Sequence, residues 1–303
     1  MPTIIPGSNS QALAKAVSDI AGFALAQVSA RKFPDGESYV RIDSKISDEA
    51  IIVQSAFPNQ NDSLIEIALL ADAAKDAGAK TLKAVMPYFP YARQDKKFQD
   101  GEALSIRAVA NILRSAGIVE LITVDAHFHR KPERFDFYGM RATNVSAGKI
   151  LLDFVRKTIP DFSVIGPDFG SSCLIEIAGG GKTLKKEKTC PVCGKPSVTE
   201  CKCGGSEKSY EAKISGSFDF AGKNVVVLDD MIASGSTMIK AIEKIRQSGA
   251  KKIAAVASHG LFLKDSLKIL RERTDLLAVT DSIRTPVSAV SIAGIIAEAL
   301  CKS

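Results

Sequence analysis

An apolar run, a turn of small residues, a helix and a second apolar run follow one another without a break from Asn224 to Gly260. The two runs, NVVVL and KKIAAVASHG, read as strands, and STMIKAIEKIRQSGA between them reads as a helix. A strand–helix–strand unit of this kind joins parallel strands by a crossover. Where it is repeated, the chain belongs to the α/β class, with helices packed on both faces of a parallel sheet.

The unit does repeat. TIIPG reads as a strand, SQALAKAVSDIAG as a helix with Ser10 at its N-cap, and AIIVQSA as a strand. NDSLIEIALLADAAKDAGA is a helix closed by Gly78, TLKAVMPYF a strand, GEALSIRAVANILRSAG a helix ending at Gly117, and VELITVDAH a strand. The alternation then restarts with the helix VSAGKILLDFVRKTI and the strand FSVIGPD, and it ends with the strand DLLAVTDS and the helical stretch SAVSIAGIIAEALC. Two α/β halves joined near residues 140–147 are expected. A chain of 303 residues accommodates two such domains. Their expected bounds are 1–146 and 147–286, with a C-terminal helix over 287–303 packing back on the first. Residues 179–213 break the pattern with three successive glycines, eight lysines and little apolar periodicity. They read as a loop or inserted module.

Composition narrows the function classes. Apolar residues make up 46% and charged residues 24%, which excludes a disordered or fibrous chain. No run of about 18 apolar residues occurs, so no membrane span is expected. The N-terminus lacks a basic segment followed by an apolar one, and a cytoplasmic setting is expected. The net charge of +6 suits anionic small molecules. It is too dispersed to argue for nucleic acid.

Chemistry concentrates in the turn of the Asn224–Gly260 unit. The strand runs into two carboxylates, Asp229 and Asp230, and the small residues Ser234, Gly235, Ser236 and Thr237 lead into the helix. Backbone N–H groups at a helix N-terminus favour an anion such as phosphate, and the hydroxyls add donors. Carboxylates at the C-terminal end of a strand stand where open α/β sheets bind ligands. They can hold ribose hydroxyls or a hydrated divalent cation.

Four of the six cysteines lie between Cys190 and Cys203. Cys190 and Cys193 in C-P-V-C-G form a metal knuckle, and Cys201 and Cys203 supply a second pair with one intervening residue. The expected occupant is a structural Zn²⁺ in a tetrahedral Cys₄ site. Cys173 and Cys301 stand alone and read as buried apolar residues.

The Asp229–Thr237 loop resembles the phosphoribosyl-diphosphate-binding signature of the phosphoribosyltransferase fold, with Ser234 and Ser236 where the usual pattern has threonine and glycine. Further matches run in order along both halves. They are Phe33-Pro34-Asp35-Gly36-Glu37, Tyr91-Ala92-Arg93-Gln94-Asp95 with Gly101-Glu102 and Ser105, Val124-Asp125-Ala126-His127, Gly166-Pro167-Asp168-Phe169-Gly170 and Ser258-His259-Gly260. Together they resemble the ribose-phosphate pyrophosphokinases, in their shorter archaeal form. The Cys₄ module is outside the usual pattern of that family.

The resemblance implies two phosphoribosyltransferase-like domains, each a mainly parallel sheet flanked by helices; the cysteine spacing adds a zinc-binding insertion to the catalytic loop over 182–213. It implies transfer of the diphosphoryl group of ATP to the anomeric hydroxyl of ribose 5-phosphate. Phe33, Asp35, Glu37, Arg93, Gln94 and Asp95 would contact ATP. Asp229, Asp230, Ser234, Gly235, Ser236 and Thr237 would hold ribose 5-phosphate, and His127 and Asp168 would attend Mg²⁺. His127, Arg93, Lys186 and Lys188 would be the catalytic set, the lysines on a mobile loop where Lys188 replaces the family's arginine. His129 and Lys185 are alternative registers for His127 and Lys186. The family assembles as oligomers with active sites at domain junctions. A non-catalytic regulatory relative and a transferase that consumes the activated sugar are the competing readings. The first would fit the departures at Lys188 and Ser236, and the second would leave the first-half matches unexplained.

Overall fold

A computed structural model of the chain describes residues 1–97, 99–129, 131–189, 211–215 and 219–302. The four clustered cysteines, Cys190, Cys193, Cys201 and Cys203, lie outside the described residues. The chain packs as two units. The first comprises Met1–Ala147, Ser258–Gly260 and Thr280–Ser303, and the second Gly148–Ala257 and Leu261–Val279.

In chain order the elements up to Ala147 are β1 (Thr3–Pro6), α1 (Gln11–Ala21), β2 (Ala24–Leu25), β3 (Val28–Lys32), β4 (Ser38–Ile42), β5 (Glu49–Val53), α2 (Gln60–Asp76), β6 (Thr81–Val85), α3 (Ser105–Ser115), β7 (Ile118–Val124), β8 (Arg134–Phe137) and β9 (Met140–Val145). One sheet, ordered β2-β1-β5-β6-β7-β9-β8, is parallel except for β8 against β9. Ile4, Ile5, Ile51, Ile52, Leu121 and Ile122 are fully buried within it. Each such side chain contributes about 1.5–3 kcal/mol relative to exposure. Helix α3 shows why the sequence forms the covering layer. Ile106, Val109, Ala110 and Leu113 recur at helical spacing and are the residues it buries.

The remaining elements are α4 (Gly148–Arg156), β10 (Phe162–Gly166), a 3₁₀ turn (Phe169–Ser171), α5 (Ser172–Ile177), β11 (Lys182–Thr183), β12 (Lys185–Thr189), β13 (Glu211–Ser215), β14 (Asn224–Ile232), α6 (Ser236–Gln247), β15 (Lys252–Gly260), α7 (Ser266–Arg273), β16 (Leu276–Thr280), β17 (Ser288–Val290) and α8 (Ala293–Cys301). The second sheet is ordered β11-β10-β14-β15-β16-β17. Strands β10 and β14, and β15 and β16, are parallel pairs. Val225 to Leu228 of β14 are completely buried, as an interior parallel strand requires.

Several local expectations are corrected. The antiparallel hairpin β3–β4 and the strand pair β8–β9 interrupt what read as a simple alternation. Both are short, and β3–β4 is mostly exposed, so neither shows a clear apolar period. Ser288–Val290, read as part of a C-terminal helix, is a strand, and α8 begins only at Ala293 and packs against α1 within the first unit. Ser10 stands at the N-cap of α1, but its hydroxyl accepts from the Ser55 N–H at 2.8 Å instead of capping the helix. Cys301 is exposed and Cys173 half-buried, so neither is a core residue. Lys185–Thr189, read as part of a loop, is a strand paired antiparallel with Glu211–Ser215. Among the described residues no helix is long and apolar enough to cross a membrane.

Candidate active site

The second unit builds its candidate site at the C-terminal end of β14. Asp229 and Asp230 are the sixth and seventh residues of that strand and half-buried, and the Asp230 N–H donates to Asp229 Oδ1 at 3.0 Å. Burial pushes the Asp229 carboxyl well above the usual carboxylate range, and the charges of Asp230 and Asp168 push it the same way. Asp168, just past β10, caps the 3₁₀ turn: its Oδ1 accepts from the Gly170 N–H at 2.8 Å. It is therefore an N-cap and an electrostatic neighbour of Asp229 at once.

The turn after β14 needs a glycine at one position only. Gly235 has φ +73° and is the N-cap of α6, whereas Ser236 is the first helical residue and needs no left-handed backbone. The serine in place of the family's second glycine is thus accommodated. Ser234 and Ser236 are exposed, with hydroxyls 3.3 Å apart, and Thr237 follows in the first turn of α6. The result is an acidic strand end facing directly into a helix start whose N–H groups and hydroxyls suit a phosphate.

The first unit carries the other candidates on three loops. Phe33, Asp35 and Glu37 form the turn of β3–β4. Phe33 is 39% exposed, its ring edge-on to Tyr39 at 5.7 Å, and the Arg31 guanidinium lies over both rings at 5.0 and 4.6 Å. Asp35 Oδ1 accepts from the Glu37 N–H at 3.1 Å, which closes the turn. Arg93 is exposed on the loop after β6. Gln94 beside it faces inward to the loop, its Nε2 donating to Glu102 Oε2 at 3.1 Å and to the Lys96 carbonyl at 3.3 Å. Asp95 is half-buried on the same loop.

His127 sits half-buried in the turn after β7. His129 is occupied differently: its ring stacks on Phe135 at 3.7 Å and its Nε2 lies 3.2 Å from Glu133. Lys186 and Lys188 lie on β12, opposite Ile214 and Ala212 of β13. Among the described residues no group of three or more His, Cys, Asp or Glu side chains gathers as a ready-made metal site. A cavity of about 860 Å³ in the second unit, at Pro160–Val164 and Gly179–Lys182, includes none of these residues.

Sequence reasoning noticed Ser258-His259-Gly260 only as a motif. In the first unit His259 is buried, with Nε2 2.9 Å from the Val124 carbonyl and Nδ1 2.8 Å from Ser282 Oγ, while Ser258 Oγ donates to Asp125 at 2.5 Å. Asn144 is a second omission. It takes the Ala126 N–H at 3.0 Å and donates to the carbonyls of His129 and Lys131 at 2.7 and 3.0 Å. Nothing local in the sequence says that either residue meets the His127 turn.

Known proteins are similar to this chain over nearly its whole length. Residues 2–117 match the model of the N-terminal domain of ribose phosphate pyrophosphokinase, and residues 194–276 match the phosphoribosyl transferase domain. A ribose-phosphate pyrophosphokinase of Thermococcus kodakarensis is 37% identical over 279 residues, covering 90% of this chain and 91% of that protein. One from Methanobrevibacter smithii is 34% identical over 304 aligned residues, covering 98% and 99%. The crystal structure of phosphoribosylpyrophosphate synthetase from Mycobacterium smegmatis superposes with a TM-score of 0.79 at 27% identity, covering 99% of this chain and 98% of that one. With two α/β units, an acidic strand end leading into a helix start, and relatives matched end to end, the chain belongs to the ribose-phosphate pyrophosphokinase family.

Proposed function

We propose that the chain transfers the diphosphoryl group of ATP to the anomeric hydroxyl of ribose 5-phosphate, giving 5-phosphoribosyl 1-diphosphate and AMP. The observation that carries the reading is the β14–α6 turn. Asp229, whose carboxyl burial raises, and Asp230 shortly precede a helix N-terminus and its hydroxyls, in a chain whose relatives are ribose-phosphate pyrophosphokinases over nearly their full length.

Asp229 and Asp230 accept hydrogen bonds from the ribose hydroxyls. Ser234, Ser236, Thr237 and the N–H groups opening α6 bind the 5-phosphate, and Gly235 lets the backbone approach it. In the first unit, Arg93 grips ATP phosphates through its planar fork. Exposed Phe33 offers its face to adenine, with Glu37 at the polar edge. Asp35, Gln94 and Asp95 shape the two loops that present them. The attacking hydroxyl and the leaving AMP must lie in line at the β-phosphorus, so positioning and charge neutralisation are the chemistry required of the protein. Lys186 and Lys188 supply positive charge from β12, and no covalent nucleophile is needed.

Mg²⁺ suits the acid cluster. Burial first, and then the charges of Asp230 and Asp168, raise the Asp229 carboxyl, and a divalent cation would offset that gathering of negative charge. Mg²⁺ is commonly bound by one or two carboxylates plus substrate phosphates, which agrees with the lack of a complete ligand set among the described residues. Asp168 in the second unit and His127 in the first are each a candidate to attend it. When bound it neutralises charge on the phosphoryl oxygens.

Zn²⁺ is proposed for Cys190, Cys193, Cys201 and Cys203. Thr189 pairs with Glu211, so the segment bearing the cysteines leaves and rejoins the β12–β13 ribbon at neighbouring positions. Four thiolates on so short an excursion suit one tetrahedral ion. Homo-oligomer assembly and a cytoplasmic setting follow from the family, and sedimentation of the purified chain checks the first.

The test is product analysis with ATP, ribose 5-phosphate and Mg²⁺. Ribose-dependent AMP in step with phosphoribosyl diphosphate is expected. Folded protein that releases no AMP would favour a regulatory relative, and release of ADP would point to ordinary monophosphoryl transfer.

A further inference from the structure

We infer that His259 and Ser258 are positioning residues for this reaction, fixing the turn that carries His127 and the foot of the loop that carries Arg93. The inference rests on the roles proposed above for those two residues. Neither His259 nor Ser258 is assigned any contact with substrate.

His259 is 3% exposed and held at both ring nitrogens. The Val124 carbonyl has no proton to give, so Nε2 is the protonated nitrogen and donates to it at 2.9 Å. Nδ1 lies 2.8 Å from Ser282 Oγ, which lies 2.8 Å from the Ser258 carbonyl, itself taking a hydrogen bond from Thr280 Oγ1 at 2.6 Å. The ring therefore cannot rotate without breaking a buried hydrogen bond. Val124 ends β7, and His127 is three residues on.

The next residue, Asp125, has φ +40°, in the left-handed region that is uncommon for any residue but glycine, although aspartate enters it more readily than most. Such a conformation persists only where surrounding groups over-determine it. Here Asp125 Oδ2 accepts from Ser258 Oγ at 2.5 Å and from the Ala147 N–H at 2.9 Å. These are charge-assisted bonds in a dry environment. Ala126 is held by Asn144, which also fixes the carbonyls of His129 and Lys131. Ser258 and Asn144 thus add side-chain anchors to a turn that backbone bonds from Asp125 to Val145 and from His129 to Ala126 also hold.

The second attachment is Tyr88, at the foot of the Arg93 loop. Its ring meets the His259 ring edge-on at 5.3 Å, and its N–H donates to Ser55 Oγ at 3.3 Å. The Ser55 hydroxyl bonds in turn to the Ser282 carbonyl. One buried imidazole therefore stands against the roots of two functional loops. A histidine that merely filled the core would not need three serines and a threonine around it, since an apolar side chain of that size avoids the cost of burying polar groups.

The test compares His259→Phe, His259→Gln, Ser258→Ala and Ser258→Thr in the full chain, each checked for folding by thermal denaturation. Glutamine can still donate to Val124 and accept from Ser282. The Phe and Ala variants should lose about 10–100-fold in kcat, as loss of an orienting partner typically costs. The Gln and Thr variants should recover most of that loss. The KM for ribose 5-phosphate should change less than about 2-fold throughout, since the sugar-phosphate loop takes no part in this network. The chain has three histidines, so imidazole NMR of the substrate-free protein provides a readout independent of turnover. His127 signals should move in the Phe and Ala variants and stay near their wild-type positions in the Gln and Thr variants. Unmoved His127 signals, or Gln as damaging as Phe, would overturn the inference. So would a rise in the ribose 5-phosphate KM that matches the fall in kcat. Should His259→Phe not fold, the Ser258 pair decides, because it differs by one hydroxyl. Wild-type protein that makes no AMP would defeat the functional reading alone, and the NMR comparison would still decide the positioning role.

Discussion

Gly235 lies so close to Ser266 that a Cβ on the glycine would stand 2.9 Å from the Ser266 Cβ. Its backbone is also left-handed, at φ +73°. Conformation and space therefore both demand glycine at the entrance to α6. Gly222, at φ +70°, has nothing within 4 Å of its Cβ position and isolates the conformational part. Gly222→Ala should cost about 1–2 kcal/mol from backbone strain. Gly235→Ala should cost more and also raise the KM for ribose 5-phosphate. Thermal denaturation and initial rates on the two variants check both statements. Equal stability losses would show that Ser266 yields freely.

Asp229 should make the substrate-free protein less stable near neutral pH. Its folded carboxyl binds a proton more tightly than the unfolded one. The stability it contributes is complete below about pH 4, the unfolded carboxylate range, and is lost as pH rises through the raised folded value. Asp229→Asn should therefore raise Tm at pH 7–8 relative to wild type, and the gain should vanish toward about pH 4. Synthesis should be abolished, the usual opposition between stability and function at a charged site. Added Mg²⁺ should raise the wild-type Tm more than that of the variant.

Arg93 and its neighbour Gln94 should separate cleanly. Arg93 is exposed, so Arg93→Lys should leave stability within about 0.5 kcal/mol. Loss of the bidentate fork should lower kcat/KM for ATP by about 10-fold or more, a difference of at least ~1.4 kcal/mol in transition-state binding. Gln94→Ala removes the bonds to Glu102 and the Lys96 carbonyl, so it should loosen the loop and raise the KM for ATP. Comparable kinetics in both variants would contradict the division of labour between them.

Zinc content is measurable directly. Purified chain should carry one Zn²⁺ per subunit by elemental analysis, and Cys190→Ser with Cys193→Ser should remove it. The sheets of the described residues are built from elements outside the cysteine segment, so far-UV circular dichroism should change little. Turnover or mass in solution should change, because the segment interrupts the ribbon that carries Lys186 and Lys188. Zinc-free wild-type protein would dismiss the site. Unchanged kinetics and mass in a zinc-free variant would reduce it to a stabilising clip.

The sequence by itself determined the α/β class and where the β14–α6 turn falls. Both rest on local physics. Continuous apolar runs flanking amphipathic helices leave few ways to bury their surface, and two acids followed by small residues mark the passage from strand to helix within a few residues of chain. It also marked Phe33, Arg93, His127 and Asp168 as loop residues beside strand ends. The hairpin β3–β4 escaped notice because its strands are short and largely exposed, without a buried face to impose a period of two. Tertiary structure alone set His129 beside Phe135 and Glu133, and made Asp168 both an N-cap and a neighbour of Asp229. It alone brought Ser258 and His259 to a turn more than a hundred residues earlier in the chain. Hydrogen bonds of that span depend on where strands lie side by side, and strand order in a parallel sheet is set by packing of the whole chain, beyond the reach of any local pattern.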